Sequence, residues 1–192
     1  MKLIVSDNIC RMNQNDDSWF FIPDSAIANA GKPFFIPDFA DSFVAVLAPV
    51  IKVARIGKSI DEKFARRYYC NAAPAVHFRA DSLRNKLLSE GKPADISYSF
   101  DRSVIAGDFL PVEDFLDAGR ISMLKNGIEV ATINSDDFLS DAEKLLSRSS
   151  CANTLKMGDL IMPIIAPEVS VAIGDRLEVS LDGDSILKIA IK

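Results

Sequence analysis

A run of twelve residues, 43–54, contains no acidic side chain and is built mainly from valine, alanine, isoleucine and leucine. Such a run is typical of a β-strand that is buried on both faces. Pro49 lies inside it and has no N–H to donate to a neighbouring strand, so its position predicts a sheet edge or a bulge. The run therefore predicts a buried strand over residues 43–53, around which the rest of the chain must pack.

The remaining strand signals are short and numerous. Asn126 and Gly127 stand between two apolar runs, and both tolerate a positive φ angle, so they predict a hairpin with strands over residues 121–124 and 129–133. Other apolar runs predict further strands over residues 3–5, 19–22, 158–162, 174–179 and 186–191.

A few helices are predicted between these strands. Ser59, with Glu62 three residues later, has the pattern of a helix start. Leucines at helical spacing predict a second helix over residues 79–90, which ends at Gly91. A third helix is predicted from Ser135 to about residue 147, with five apolar side chains facing inward: Phe138, Leu139, Ala142, Leu145 and Leu146. Many strands with few helices predict a mixed α+β domain.

Composition excludes several classes of function. A chain of 192 residues is the size of one domain with a sizeable core. The net charge of −5 is a poor match to nucleic acid, which requires a basic surface. The apolar stretches are too short to cross a membrane or to form a signal peptide. Three widely spaced cysteines do not suggest a disulfide framework and predict a reducing, cytoplasmic location.

Several motifs, in order along the chain, resemble those of the fumarylacetoacetate hydrolase family. The sequence Asn-Gly-Ile-Glu at 126–129 resembles the family's NGE hairpin, and residues 134–138 resemble the start of its NT-x-DM helix. The segment 155–161 matches its L-x-x-GDLI strand, and 171–179 its closing L-x-x-GD-x-V-x-V strand. The segment from Ser99 to Asp108 corresponds to the family's K-x-FD and G-D/P-W region.

This resemblance implies a β-rich roll of mixed strands that commonly forms a homodimer. It spans residues 1–192 as a single domain, with 1–32 as divergent N-terminal strands and 33–192 as the core. Family enzymes hold Mg²⁺, Mn²⁺ or Ca²⁺ through carboxylates, since hard cations prefer oxygen ligands. The metal acts as a Lewis acid on small β-diketo or 2-oxo acids, which are cleaved, decarboxylated, hydrated or isomerised.

The family's metal ligands are replaced in this chain. Counting back from Gly57 and Lys58, the two metal glutamates fall on Val46 and Ala48, and the third carboxylate falls on His77. One imidazole with two apolar side chains is too small a ligand set for a hard divalent cation. We therefore expect no metal and no other cofactor.

Other positions of the family site have changed as well. The family's polarising lysine is Tyr98 here, and its general-base histidine falls on Met12. The TGTP strand end, which contacts the ligand, is replaced by residues 163–166, including Pro163 and Ile165. Arg79, as a further pocket residue, could anchor a carboxylate together with Tyr98 and Arg102.

Two functional hypotheses follow from these replacements. In the first, the chain is a pseudoenzyme that binds a small carboxylate or apolar ligand, or that pairs as a homodimer or as a heterodimer with a related family member. In the second, it is a divergent hydrolase, decarboxylase or isomerase that works without metal through His77, Tyr98 and Asp101. His77, the chain's only histidine, is otherwise expected to be a core side chain bonded to a backbone carbonyl.

Overall fold

Fifteen strands in three sheets form the framework of the computed structural model, which describes residues 1–7 and 18–192. The strands are β1 (Lys2–Asp7), β2 (Trp19–Pro23), β3 (Ile27–Asn29), β4 (Phe43–Leu47), β5 (Val50–Val53), β6 (Tyr69–Ala73), β7 (Ala75–Arg79), β8 (Val104–Ala106), β9 (Leu110–Pro111), β10 (Arg120–Lys125), β11 (Ile128–Asn134), β12 (Leu160–Ile164), β13 (Glu168–Val171), β14 (Arg176–Leu181) and β15 (Asp184–Ala190). This composition confirms the predicted α+β class.

The helices are fewer than the strands and mostly short. The α-helices of the described residues are α1 (Asp81–Ser89), α2 (Asp95–Tyr98), α3 (Val112–Ala118) and α4 (Ser135–Ala152), and single 3₁₀ segments cover Asp24–Ala26 and Glu62–Tyr68. None of the helices in this described part is long and apolar enough to cross a membrane.

The three sheets have different strand orders. The six-stranded sheet runs β2-β1-β12-β5-β6-β9, the five-stranded sheet β13-β4-β7-β8-β3, and the four-stranded sheet β11-β10-β14-β15. Most neighbouring strands are antiparallel, whereas β1 pairs with β12, and β3 with β8, in parallel. The chain therefore forms a roll of mixed strands in which distant segments become neighbours.

Pro49 divides the apolar run that was predicted as one strand. Phe43–Leu47 pairs in the five-stranded sheet, and Val50–Val53 pairs in the six-stranded sheet. The prediction of a single strand over residues 43–53 is therefore wrong. Because proline cannot donate a ladder hydrogen bond, the chain passes from one sheet to the other at this residue.

Two predicted helices differ from those observed. The segment after Ser59 forms only the 3₁₀ turn Glu62–Tyr68, and Ser59 itself has a φ angle of 50° rather than capping a helix. Its backbone N–H bonds the Ser150 carbonyl of α4, so a long-range contact fixes its conformation. The second helix begins at Asp81 and not at Arg79, because Arg79 is the last residue of β7 and pairs with Val44.

The hairpin and the third helix confirm the sequence predictions. Asn126 and Gly127 have φ angles of 53° and 83° and join β10 to β11. The helix α4 begins after Asn134, whose side chain accepts a hydrogen bond from the Asp136 N–H. All five apolar residues predicted to face inward from α4 are buried.

Two apolar clusters form the core. The larger one packs α4 against the sheets and includes Phe34, whose ring stacks on that of Phe78 with centroids 3.8 Å apart. The smaller one lies between β1, β4, β12 and the ends of neighbouring strands, and it contains Val46 and Ala48. The two positions expected for metal ligands thus belong to the apolar core.

The ring pair in the larger cluster gives a test of this packing. Replacing Phe34, which is 1% exposed, with alanine should lower the free energy of unfolding by about 3 kcal/mol or more through lost burial and a residual cavity. Phe35→Ala is the matched control, since Phe35 is 60% exposed, and it should cost less than about 1 kcal/mol. Urea unfolding measures both values, and equal losses would contradict the packing described.

Candidate functional site

Three strands of the five-stranded sheet bring the candidate residues into one row. In the β13-β4-β7 order, Glu168 pairs with Val46, and Val46 pairs with His77. The expected first and third metal-ligand positions are therefore direct cross-strand neighbours, as a shared site would require. Glu168 adds a carboxylate to the same row from the outer strand.

The side chains in this row do not fit a divalent cation. Val46, Ala48 and His77 are all 0% exposed, and the first two offer no oxygen or nitrogen atom from their side chains. Within residues 1–7 and 18–192, no group of three or more histidine, cysteine, aspartate or glutamate side chains is placed to hold a metal ion. A hard cation needs several oxygen ligands, and this row does not supply them.

Both ring nitrogens of His77 have partners. Nε2 lies 2.8 Å from the backbone carbonyl oxygen of Tyr98, which can only accept, so Nε2 carries the proton. Nδ1 is then the acceptor, and it faces the Nε–H of Arg79 at 3.4 Å. The expected bond to a backbone carbonyl is present, and the geometry fixes His77 as a neutral tautomer.

The surroundings of His77 also lower its pKa strongly. Burial disfavours the charged imidazolium, and the adjacent Arg79 guanidinium repels it, which together lower the pKa of His77 from 6.5 to about 3 despite the bond to Tyr98. A proton on Nδ1 would point at the Arg79 Nε–H. His77 is therefore poorly placed to accept a proton from a substrate near neutral pH.

A network of four charged side chains begins at Arg79, beside this histidine. The Arg79 guanidinium is 0% exposed and donates from Nη1 to Glu168 Oε1 at 3.0 Å. Arg84 of α1 binds both oxygens of the same carboxylate, with its Nη2 at 3.0 Å from Oε2. Arg84 also bonds Asp81 in its own helix. Among the described residues, this network thus pairs two positive side chains with two negative ones.

Glu168 is the central residue of this network. Burial alone would raise the pKa of its carboxyl, but the hydrogen bonds and charges of Arg84 and Arg79 outweigh burial, and the pKa is lowered. The same bonds raise the pKa of Arg84. Glu168 is not among the site residues predicted from the sequence. The available signal was that it is the only charged side chain between Asp159 and Asp175, in an otherwise apolar segment.

The three predicted catalytic residues do not form a triad. Tyr98 contacts His77 through its backbone carbonyl, and its ring packs against Phe20 and beneath the Arg79 guanidinium, 5.3 Å from the ring centroid. Asp101 is exposed in the turn that follows α2. The structure therefore joins His77 to Tyr98, and it does not place Asp101 in their hydrogen-bond network.

The remaining predicted pocket residues are dispersed. Pro163 is buried in β12 opposite Ser6, and Ile165 is half-buried beside a polar cavity next to α4. Arg102 donates to the Pro33 carbonyl at 3.1 Å, away from the carboxylate-anchoring role considered for it. Met12 lies outside the described residues.

Solved structures with the same fold cover the whole chain. A Yersinia pestis protein described as belonging to the fumarylacetoacetate hydrolase family superposes with a TM-score of 0.86, with 22% identity over 100% of this chain and 92% of that one. A Pseudomonas aeruginosa fumarylpyruvate hydrolase, in complex with Mn²⁺ and pyruvate, gives a TM-score of 0.84 with 18% identity over 99% and 88% of the two chains.

An isomerase has this fold too. The 5-carboxymethyl-2-hydroxymuconate delta-isomerase of Mycobacterium smegmatis gives a TM-score of 0.78 with 18% identity over 99% of this chain and 78% of its own. No family model matches the sequence, and no curated protein matches it. At these identities the likeness establishes that the chain has the fold of fumarylacetoacetate hydrolase family proteins.

Removal of the Glu168 charge tests the network. Glu168→Gln should lower the free energy of unfolding by about 3 kcal/mol, because it removes a carboxylate that pairs with the buried Arg79 charge. Glu178→Gln is a matched control on a neighbouring surface, where the ion pair to Lys188 is exposed and 3.8 Å long, and it should cost less than about 1 kcal/mol. Equal losses of unfolding free energy for the two variants in chemical denaturation would show that Glu168 does not stabilise the buried charge of Arg79.

A second test uses the pH dependence of stability. Below pH 6.5 the unfolded chain protonates His77 while the folded chain does not, so acidification favours unfolding until pH approaches about 3. Relative to His77→Gln, which retains a donor for the Tyr98 carbonyl, the wild type should lose about 1.2 kcal/mol between pH 6 and 5. Since no other histidine is present, parallel stability curves for the two proteins would contradict a buried neutral His77.

Proposed function

We propose that this chain is a divergent member of the fumarylacetoacetate hydrolase family that has lost the metal-dependent chemistry and acts without catalysis. Its fold is shared with hydrolases and an isomerase of that group. Within that fold, other residues take the positions of the family's metal ligands.

One observation carries the proposal. Val46 and His77, at two of the family's three metal-carboxylate positions, are cross-strand neighbours, Ala48 follows two residues after Val46 in the same apolar cluster, and all three residues are fully buried. If the alignment of motifs were out of register, Val46 and His77 would not be expected to be cross-strand neighbours. Their proximity supports the assignment of a site whose ligands have been replaced by core side chains.

The charge at this site supports the same conclusion. The Arg79 guanidinium adjoins His77 and is itself fully buried. A fixed positive charge at a few ångströms repels a divalent cation, particularly where little water is present to screen it. Arg79 and Glu168 thus take up the electrostatic role that a metal and its carboxylates would have had.

Two roles agree with such a protein: binding of a small carboxylate or apolar ligand, and pairing in a homodimer or with a related family member. Pairing requires no cavity at the three replaced metal positions, which are all 0% exposed. Cys70 and Cys151 are unpaired and exposed, which supports the proposed location in a reducing cytoplasm.

Restoring the three carboxylates provides the test. The triple variant Val46→Glu, Ala48→Glu, His77→Asp should bind Mn²⁺ and should be stabilised by it, because metal binding offsets the repulsion between buried carboxylates. The matched control Val46→Gln, Ala48→Gln, His77→Asn has similar side-chain volumes without charge and should show no such Mn²⁺-dependent rise in melting temperature. Electron paramagnetic resonance measures the bound Mn²⁺ directly.

The wild-type protein decides between the two hypotheses. It should bind no stoichiometric Mn²⁺ or Mg²⁺ and should not turn over oxaloacetate or an acylpyruvate. Turnover that is abolished in a folded His77→Ala variant would overturn the non-catalytic proposal in favour of chemistry through His77. A folded triple glutamate–aspartate variant without Mn²⁺ binding would count against the assigned metal positions.

A further inference from the structure

A basic groove of about 850 Å³ lies on the outer face of the four-stranded sheet, remote in sequence from the His77 site. Its charged lining consists of Lys32, Arg176, Glu178, Lys188 and Lys192. Four positive side chains therefore face one carboxylate, although the chain as a whole carries a net charge of −5. A local excess of the opposite sign to the net charge indicates a surface suited to an anion.

Three of these cations have no counter-charge among the described residues. Lys188 lies 3.8 Å from Glu178, whereas the side chains of Lys32, Arg176 and Lys192 form no ion pair with any carboxylate in residues 1–7 and 18–192. The groove thus keeps three positive side chains available to a ligand.

Both walls of the basic groove are held rigidly. On one side the segment after Lys32 is bonded to the end of β15: the Phe34 N–H donates to Ala190, the Lys192 N–H to Phe34, and the Ile36 N–H to Lys192, at 2.8–2.9 Å. Beneath this segment, the Phe34 ring stacks on Phe78 in the core. Because these hydrogen bonds already order this wall, ligand binding does not incur the entropic cost of ordering it.

The opposite wall is formed by two turns that are bonded to each other. Asn126 accepts a hydrogen bond from the Arg176 N–H at 2.9 Å and donates to Asp175 at 2.7 Å. Lys125 forms an ion pair with Asp175 at 2.9 Å, so this carboxylate is neutralised outside the groove lining. Gly127 and Gly174 line the groove with positive φ angles and open space where a Cβ would be, which leaves the backbone accessible.

We propose that the basic groove binds a small organic anion that carries two or three carboxylate or phosphate groups. Exposed charge pairs contribute little individually, so a useful affinity requires several contacts made by one ligand. The Arg176 guanidinium can bind a carboxylate or a phosphate through two parallel hydrogen bonds, and Lys32 and Lys192 supply point charges. Pro33 and Ala190 offer apolar contacts to a carbon skeleton. This site is independent of the proposed loss of catalysis.

Titration calorimetry with citrate and with pyrophosphate tests the proposal, at an ionic strength held constant with NaCl. At least one of the two should bind the wild type saturably with one site per chain, and the pair distinguishes a carboxylate ligand from a phosphate ligand. The variant Lys32→Gln, Arg176→Gln, Lys192→Gln should weaken this binding by about tenfold or more, because three charged contacts are lost together.

The chain offers a control with the same change in net charge. Arg55, Lys58 and Lys156 are exposed, lie close together through the Gly57–Leu155 bridge, and do not line the groove. The variant Arg55→Gln, Lys58→Gln, Lys156→Gln should bind the anion within about twofold of the wild type. Equal weakening in the two triple variants would overturn the proposal, since it would reflect net charge alone. Failure of both citrate and pyrophosphate to bind would also overturn the proposal. This holds even if a hexaglutamate peptide, tested as an acidic polypeptide, does bind.

Discussion

The buried positive charge of Arg79 is the constraint around which the centre of the molecule is arranged. A guanidinium with no exposed surface must be paired and hydrogen-bonded, since an unpaired buried charge costs several kcal/mol, on the order of what a whole domain's stability amounts to. Its partners among the described residues include Glu168 from β13, His77 from β7, and the Tyr98 ring from α2. The charge therefore ties an outer strand and a short helix to the centre of the five-stranded sheet.

The same charge determines which ions this part of the fold can bind. A carboxylate triad around a divalent cation requires negative side chains in a row, and here the row contains Val46, His77 and an already engaged Glu168. Arg84 neutralises the remaining charge of Glu168 at the surface, and Asp81 in turn neutralises Arg84. In this chain, the row is instead part of a network of ion pairs that joins Arg79, Glu168, Arg84 and Asp81.

Local patterns were predictable from the sequence where local forces dominate. The Asn126-Gly127 turn forms because its residues tolerate positive φ, and α4 has the predicted buried face because its apolar spacing has a helical period. Predictions failed where a distant segment intervenes. Arg79 belongs to a strand rather than a helix because β4 pairs with it, and Ser59 is held by Ser150 of α4. The secondary-structure propensity of a segment carries no information about the distant segments that bond to it.

By itself, the sequence determined the fold class and the absence of acidic residues at Val46 and Ala48, because both follow from residue types and motif spacing. Only the tertiary structure decided that Val46 adjoins His77, that the imidazole is neutral, and that Glu168 pairs with Arg79. Glu168 is 89 residues from Arg79 along the chain. Sheet register alone brings them together, because strand pairing is set by the packing of the whole roll and not by either segment.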